Sequence, residues 1–559
     1  MLQPLKHVRR GKRFWSQGEP LIWATGAALT AILLATALLL GVVLVNGLGT
    51  FWPARVALVR LADGRRVLGE WLRTAENTDT KVTSVQLKTG NREIDPARED
   101  FHWYKLDDLR GTTYPADAFV LERQENGNFY GFFRGVRLSG VAAEAPPVAG
   151  QGPSSVLQAA ILAVRRQQQA ELDPLAARLV PLTYQIHSLE LAETADEHRR
   201  TLLAAGGEST RPQRDRLTAT IVDFQRRRAG LQKESEELSR QQQERKRAID
   251  ENLALFTDAS GGTVKIPLVS IVRFTNPNAM GWFAKAGYYV ERIRELLCDP
   301  PRESNTEGGL FPAIFGTVML VFLMALASFP LGVLAGVYLG EYAKEGFLVR
   351  LVRIGVNNLA GIPSIVYGMF GLGFFIYFLG QRIDAWWFPG LQVFSTGGIL
   401  WASLTLGLLT IPVVIVSTEE ALRTIPRGIR EGSYALGATK FQTLLRVLVP
   451  IASPGIMTGF ILAMARAAGE VAPLMITGVI KSAPDLPLDG HFPFFHVERK
   501  FEHLGFHIYD VGFQSPNAEA CKPMVYVTTL LLLLIVLCLS SLAIYLRNRM
   551  KKRYQTRTM

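Results

Sequence analysis

Cysteine is scarce in this chain, with three residues among 559. Three cysteines are too few for a disulfide framework, so we expect none to hold the fold together. Cys298 and Cys521 each stand shortly before an apolar run. Two interpretations stay open for them: they pair in an oxidising compartment, or they remain two unpaired thiols.

The phosphate-binding P-loop sequence GxxxxGK[ST] is also absent, and GATK at 437–440 does not supply it. We therefore do not expect the chain to bind ATP through a P-loop. An HExxH zinc motif is missing as well, although four histidines fall between residues 481 and 523: His491, His496, His503 and His507. We interpret them as surface polar residues, and we predict no catalytic residue, metal or cofactor.

Charge is absent from residues 22–45, a run of more than twenty apolar positions that is long enough to cross a bilayer. A signal peptide is the alternative, but its apolar region would be about 7–15 residues long. We interpret the run as an uncleaved anchor. Five further candidate spans follow near 311–339, 356–379, 397–417, 451–480 and 524–546.

Basic clusters flank the first and last spans: Lys6, Arg9, Arg10, Lys12 and Arg13 on one side, and Arg547, Arg549, Lys551, Lys552 and Arg553 on the other. The positive-inside rule therefore places segments 1–21 and 547–559 in the cytoplasm, which six spans allow. These clusters account for part of the net charge of +12, so that charge does not indicate a nucleic-acid partner. Residues 46–309 then lie outside, as a domain inserted between spans one and two.

The inserted domain changes composition along its length. Residues 55–145 alternate around turn signals at Asp63-Gly64 and Glu125–Asn128, which predicts a small β module. Residues 154–256 are rich in Gln, Glu, Arg and Leu with apolar positions at spacings of four and three, which predicts an antiparallel coiled-coil hairpin. Residues 263–300 predict a strand and an amphipathic helix at the outer membrane surface.

The polar stretch EGSYALGATKFQTLLRVLVP, residues 431–450, separates two apolar runs. Gly437 stands where a helix would stop, because glycine adopts the left-handed conformation at little cost. Thr439 can cap a second helix, and Pro450 is expected to end its apolar face and lead into the next span. The stretch therefore predicts two short helices at an angle.

Two charges interrupt the fifth apolar run. Arg466 and Glu470 are four residues apart and so share one face of a helix. A charged side chain in the middle of a span costs about 2.5–3.5 kcal/mol on insertion scales. Either Arg466 offers a planar donor fork to an oxyanion in transit, or the two residues form a salt bridge that locks the bundle.

The spacing from Glu431 through Gly437 to Pro450 resembles the EAA loop of ABC importer permeases, with Gly432 and Ser433 in place of its two alanines. The segment ARAAGEVAPL at 465–474 resembles the PstA family of phosphate permease subunits, with Val471 in place of a threonine. Segments 307–318 and 358–373 resemble its second and third spans. The resemblance covers about residues 307–547 and does not include the inserted domain.

The resemblance implies a mainly α-helical type I ABC importer permease at 310–546, in the inner membrane, carrying phosphate. Its coupling loop, 418–450, would bind ATPase subunits through Glu431, Gly432, Ser433, Gly437, Ala438, Thr439 and Pro450. The implied partners are a second, PstC-like permease, two PstB-like ATPases and a PstS-like periplasmic binding protein, besides membrane lipid. Alternatives stay open: another oxyanion such as sulfate or molybdate, or a periplasmic adaptor or sensory scaffold built on the coiled coil.

Overall fold

The computed structural model describes residues 19–76, 82–91, 100–139, 152–204, 210–302, 307–388, 390–490, 494–515 and 518–555. The basic cluster predicted before span one and His491 lie outside these residues.

Within these described residues, six helices are long and apolar enough to cross a membrane, as the sequence predicts. They are span one, Leu21–Gly49; span two, Phe311–Tyr342; span three, Ser364–Trp387; span four, Ile399–Arg423; span five, Lys440–Gly469; and span six, Cys521–Lys552. The mainly helical fold class with six spans is therefore confirmed. Turns of π-helix interrupt spans two, three and five at Tyr338–Tyr342, Gly371–Gly380 and Leu444–Leu448.

Two predicted span bounds are wrong. Span three begins at Ser364 rather than near 356, because Pro363 cannot continue the helix that precedes it. The fifth apolar run, predicted at 451–480, stops being one helix at Gly469. Glu470 is extended, and a short helix restarts with Pro473 in its first turn, where proline is tolerated.

Span four is the most buried span, and spans two and five pack against it through glycines. A Cβ placed on Gly332 of span two would lie 2.7 Å from the Val414 Cβ. A Cβ placed on Gly336 would lie 2.6 Å from the Thr418 Cβ. On span five, a Cβ on Gly455 would lie 2.5 Å from that of Ala421. Both spans carry the GxxxG spacing that lets helix backbones approach closely in a membrane.

The inserted domain contains two five-stranded antiparallel sheets. The first is built from β1 Val56–Leu61, β2 Arg66–Glu76, β3 Thr83–Lys88, β4 Phe101–Lys105 and β5 Leu109–Thr113, in the order β4-β3-β2-β1-β5. The second is built from β6 Ala118–Arg123, β7 Phe129–Arg137, β8 Leu253–Thr257, β9 Thr263–Pro267 and β10 Ile271–Thr275, in the order β10-β6-β7-β8-β9.

The two sheets share one topology. In each, four strands form a meander, a single 3₁₀ turn follows the fourth strand, and the fifth strand pairs with the first. The 3₁₀ turns are Leu106–Asp108 and Leu268–Ser270. The described part of the insertion therefore contains two copies of one β unit. The segment 55–145 holds seven of these ten strands, because helices interrupt the second unit between β7 and β8.

Three helices fill that interruption: α1 Pro153–Glu171, α2 Asp173–Ala204 and α3 Arg211–Asp250. Helix α1 covers the second sheet, where Leu157 and Ile161 pack against Phe119 and Phe256. Helices α2 and α3 pack on one another, and Arg228 of α3 pairs with Glu193 of α2 at 2.8 Å. The two β units meet at Val56, Leu68, Val120 and Tyr130.

In the part of the chain that the structure describes, five further helices lie outside the spans. They are α4 Trp282–Cys298, α5 Phe347–Leu359, α6 Arg427–Ala435, α7 Ala472–Thr477 and α8 Leu504–Tyr509. A two-stranded ribbon, β11 Pro301–Arg302 with β12 Glu307–Gly308, joins α4 to span two.

A buried ionic cluster connects the second β unit to the start of span two. Glu295 of α4 accepts hydrogen bonds from Arg273 Nη1 at 3.1 Å, Arg292 Nη1 at 2.6 Å and Arg302 Nη2 at 2.5 Å. Glu122 of β6 lies 2.8 Å from Arg292, and Tyr288 donates its hydroxyl to the same carboxylate. Burial alone would raise the pKa of Glu122, but Arg292 and Arg273 hold it below its ordinary value.

We expect Glu295→Gln to destabilise the protein by about 3–5 kcal/mol, because it leaves three buried guanidiniums short of one negative charge. The measurement is the thermal unfolding of the purified chain in detergent. Glu291→Gln is the matched control. Glu291 is half exposed and pairs with Arg273 alone at 3.2 Å, so its loss should cost less than about 1 kcal/mol. Equal melting temperatures for both variants would contradict the role of the cluster.

Candidate functional site

The polar stretch between spans four and five folds into an angled connection, which we call the elbow: residues 425–443. Helix α6 ends at Ala435, and Gly437 adopts a left-handed backbone with φ of 82°. Thr439 accepts a hydrogen bond from the Gln442 amide at 3.2 Å, and the Gln442 side chain accepts one from the Thr439 amide at 3.0 Å. The predicted helix stop at Gly437 and the predicted cap at Thr439 are confirmed.

Pro450 does not end the second helix, so that part of the prediction is wrong. The helix that Thr439 caps continues from Lys440 to Gly469 as span five. Proline removes a backbone donor and crowds the preceding turn. The π-helical turn at Leu444–Leu448 lies just before Pro450 and accommodates it. The spacing of the backbone hydrogen bonds changes locally, and the helix remains continuous.

The elbow is fastened to span two by a buried ion pair. The Arg430 Nη2 of α6 lies 2.6 Å from the Glu341 Oε1 at the end of span two. The same guanidinium donates to the carbonyls of Leu422 at 2.8 Å and Ile425 at 2.6 Å, which closes the end of span four. Since α6 is held at the ends of both spans, a displacement of α6 must be shared by them.

One face of the elbow is apolar and exposed to solvent. Leu436 is 90% exposed and Phe441 is 62% exposed, and Glu431 and Gly432 are exposed beside them. Ser433 and Ala438 are partly buried, and the Ser433 hydroxyl lies 2.9 Å from that of Thr443. An exposed leucine and phenylalanine held on a fixed backbone form a surface suited to a protein partner.

Arg466 and Glu470 lie at the end of span five, not in its middle as predicted. The Arg466 Nε is 3.3 Å from the Glu470 Oε1, so the two side chains do form an ion pair. Their side chains are 34% and 21% exposed, which leaves part of the guanidinium open. At 1.5 Å per residue, about 39 Å separates the start of span five at Lys440 from Arg466. The elbow and the ion pair therefore occupy opposite ends of one helix.

The loop after α7 folds back over the ends of the spans that lie opposite the elbow. Gly398 donates to the Thr477 carbonyl, Ile399 to that of Arg499 and Leu400 to that of Val497, each at 3.0 Å. These bonds hold the start of span four. A Cβ on Gly478 would lie 2.5 Å from the Gly398 amide nitrogen, so glycine is required at this crossing.

The interpretation of the loop histidines as surface residues is wrong for those that the structure describes. His503 is fully buried, and His507 and His496 are 4% and 8% exposed. The His503 Nδ1 accepts a hydrogen bond from the Gly505 amide at 3.1 Å. Burial lowers the pKa of His503 to about 4. Burial also lowers the pKa of His507 to about 4. The negative charge of Asp510 opposes this shift, and the positive charge of Lys481 adds to it.

Helix α2 contacts this loop, a contact that the sequence did not predict. The Tyr184 hydroxyl lies 3.4 Å from the Asp489 Oδ2, which also pairs with the Arg499 Nη1 at 2.6 Å. His496 Nε2 lies 3.2 Å from the other Asp489 oxygen. No local pattern signals a contact between residues about three hundred positions apart. Cys298 and Cys521 are free thiols, and the Cys521 thiol lies 2.8 Å from the Ser515 hydroxyl.

Six apolar helices, an elbow between spans four and five and a charged pair at the far end of span five define a polytopic transport permease. The family described as "Binding-protein-dependent transport system inner membrane component" matches residues 328–552. The chain is 34% identical over 232 residues to the phosphate transport system permease protein PstA of Mycobacterium leprae, covering 41% of this chain and 70% of that protein. The chain belongs to this family of inner-membrane components.

Two further relatives agree with that assignment. The chain is 34% identical over 220 residues to the probable ABC transporter permease protein YqgI of Bacillus subtilis, covering 38% of this chain and 70% of that protein. It is 36% identical over 200 residues to the phosphate transport system permease protein PstA 1 of Mycobacterium tuberculosis, covering 35% of this chain. The match spans 59% of that relative's length.

Among solved structures, the chain is similar to a chain of the MetNI methionine ABC transporter in an inward-facing conformation. The sequence identity is 21% and the TM-score is 0.33. The similarity covers 43% of this chain and 95% of that chain.

We expect the stability of the protein to fall between pH 7.5 and pH 5, in part through His503. Its folded pKa lies below the ordinary value near 6.5, so the unfolded state binds more protons in this window. The stabilisation is present above pH 6.5 and is lost as the pH falls toward 4. By pH 5 the loss amounts to about 2 kcal/mol.

His503→Asn keeps an acceptor near the Gly505 amide and removes the titration, so its melting temperature in detergent should depend less on pH than that of the wild type. His187→Asn is the control, since His187 is exposed. The same pH dependence in His503→Asn and the wild type would contradict this assignment.

Proposed function

We propose that the chain is the permease subunit of an ATP-driven importer that carries inorganic phosphate across the inner membrane. The observation that carries the proposal is the elbow, an exposed apolar surface on a rigid backbone fastened to spans two, four and five. The phosphate substrate is supported by the names of the relatives, several of which are phosphate transport system permeases. A permease without a P-loop requires its ATPase as a separate subunit.

The elbow transmits the ATPase movement in this proposal. Glu431, Gly432 and Ser433 of α6 lie with Leu436 on the surface that the ATPase contacts. Gly437, Ala438 and Thr439 set the angle between α6 and span five. Pro450 lies in the first turns after the π-helical segment, where span five takes up the movement.

The substrate pathway passes Arg466 in this proposal. Its planar fork of donors matches the oxygens of phosphate, and about a third of the side chain stays open to a ligand. Glu470 neutralises part of the charge, which keeps the anion from being held too tightly. Because Arg466 lies in the last turn of the helix that the elbow begins, a tilt of span five at one end moves the anion-binding group at the other.

The remaining partners follow from the class of transporter. A second, PstC-like permease supplies the other half of the pathway, two PstB-like ATPases bind the elbows, and a PstS-like binding protein delivers phosphate. The basic residues Arg547, Arg549, Lys551 and Lys552 at the end of span six support a cytoplasmic C-terminus. With six spans the N-terminus is cytoplasmic too, and the insertion at 46–309 lies in the periplasm.

We expect Gly437→Val to leave the protein inserted in the membrane but to uncouple ATP hydrolysis from phosphate uptake. A Cβ at this position meets nothing within 4 Å, so the cost lies in the backbone, at about 1–3 kcal/mol for a branched residue at positive φ. The measurement is phosphate-stimulated ATPase activity together with uptake in vesicles.

Gly437→Asn is the matched control, because asparagine adopts the left-handed conformation readily, and it should retain most of the coupling. If Gly437→Val shows normal phosphate-stimulated ATPase activity and uptake, the elbow does not couple the two processes.

For Arg466→Gln we expect uptake to fall by about 100-fold with the complex still assembled, since a charge-assisted bidentate contact to the anion is lost. The double variant Arg466→Gln/Glu470→Gln separates this role from that of a structural salt bridge. Uptake should stay low in the double variant, because no donor fork is restored. Recovery of uptake there, or accumulation of labelled phosphate at the wild-type rate in Arg466→Gln, would refute the pathway role.

A further inference from the structure

A large cavity lies where the inserted domain meets spans one and six. Its volume is about 780 Å³, which is within the range of small-molecule sites. Its floor is formed by the end of span one, at Val45 and Gly49, and by the start of span six, at Met524 and Val527. The ends of two membrane spans meet there, so the cavity lies at the level of the lipid headgroups. Trp52 and Trp71 line it too, as is typical of a membrane boundary.

Cationic groups line the part of the cavity next to the membrane. Lys522 stands at the start of span six, and Lys481 follows α7 at the outer end of the bundle. Lys481 contacts Asp510 at 3.0 Å, and an ammonium group carries three hydrogen-bond donors. Arg292 also reaches the cavity, but Glu122 and Glu295 already neutralise it.

Carboxylates line the part of the cavity formed by the first β unit, away from the membrane. Glu70 of β2 and Asp100 before β4 line it there together with Lys88 and Arg73, and Glu307 of β12 lines it nearer to the start of span two. Lys88 lies opposite Glu70 in the strand pairing and 4.0 Å from Glu307. Burial raises the pKa of the Glu70 carboxyl in spite of Lys88, so an additional cation at this wall would stabilise its charged form.

We propose that this cavity binds one phospholipid with a zwitterionic, primary-amine headgroup of the ethanolamine type. In such a lipid the phosphate lies next to the glycerol and the ammonium lies further from the membrane. The cavity has the same order: Lys481 and Lys522 near the membrane, and Glu70 with Asp100 beyond them. The acyl chains continue along the apolar surface of spans one and six.

The bound lipid would contact three parts of the protein: the first β unit, span one and span six. The apolar side chains of span one are largely exposed, and close packing on span six is found near Gly47, where a Cβ would lie 3.1 Å from Leu530. A lipid between the first β unit and these two spans would fix the height of the inserted domain above the bilayer. The inference depends on the membrane placement of spans one and six and not on the transported substrate.

The test is lipid retention by the purified full-length chain, in complex with its copurifying subunits. Native mass spectrometry counts bound lipids after exchange into nanodiscs of phosphatidylethanolamine, phosphatidylcholine or phosphatidylglycerol. We expect one tightly held phosphatidylethanolamine, retained about tenfold better than either of the other two lipids, because it alone supplies both the phosphate and a hydrogen-bonding ammonium.

We expect the double variant Lys481→Gln/Lys522→Gln to lower retention of phosphatidylethanolamine about tenfold. The control is Lys265→Gln/Lys500→Gln, which changes two exposed lysines away from the cavity and should leave retention unchanged. Glu70→Gln should abolish the preference over phosphatidylcholine with the phosphate contacts intact. Size-exclusion profiles and helical content check that the variants fold.

Three outcomes would overturn the proposal. They are equal retention of all three lipids by the wild type, unchanged retention in Lys481→Gln/Lys522→Gln, and displacement of the lipid by inorganic phosphate, which would make the cavity a free-anion site. None of these outcomes depends on uptake, so the lipid site can fail while the transport proposal stands, and the reverse.

Discussion

Close packing of glycines against span four is the constraint on which the rest of the bundle depends. Gly332 and Gly336 of span two and Gly455 of span five bring their backbones so near to span four that a single methyl group would collide. Three helices in such contact cannot slide independently, because packed cores resist continuous deformation. Span five is therefore held against span four over its length. The elbow at Lys440 and the ion pair at Arg466 are the two ends of that one helix.

Local signals in the sequence were sufficient to predict the elbow, because its geometry is set by neighbouring residues. Gly437 needs a positive φ, and Thr439 meets its capping partner three residues away. The ion pair of Arg466 with Glu470 is likewise an i,i+4 contact. Six apolar runs predicted six spans for the same reason: membrane crossing depends on length and hydrophobicity within one segment.

Features that depend on distant contacts could not be predicted. Arg430 pairs with Glu341, 89 positions away, and no periodicity links them. The histidines at 503 and 507 look polar in the sequence, yet both are buried where their loop folds into the end of the bundle opposite the elbow. The second β unit escaped detection because α1, α2 and α3 separate its strands. Pro450 was misleading because a π-helical turn lets the helix pass it, and the apolar run at 451–480 gave no sign that the helix ends at Gly469.

The inserted domain is attached to the permease at both of its ends. At one end, Glu122 and Arg273 of the second β unit join Arg302 beside span two through Glu295. At the other, Tyr184 of α2 lies against Asp489 and Arg499, whose backbone carbonyl holds the start of span four. A domain fixed at two points to the ends of different spans cannot swing freely as an independent module would. Its position must follow the spacing between spans two and four at the end of the bundle opposite the elbow.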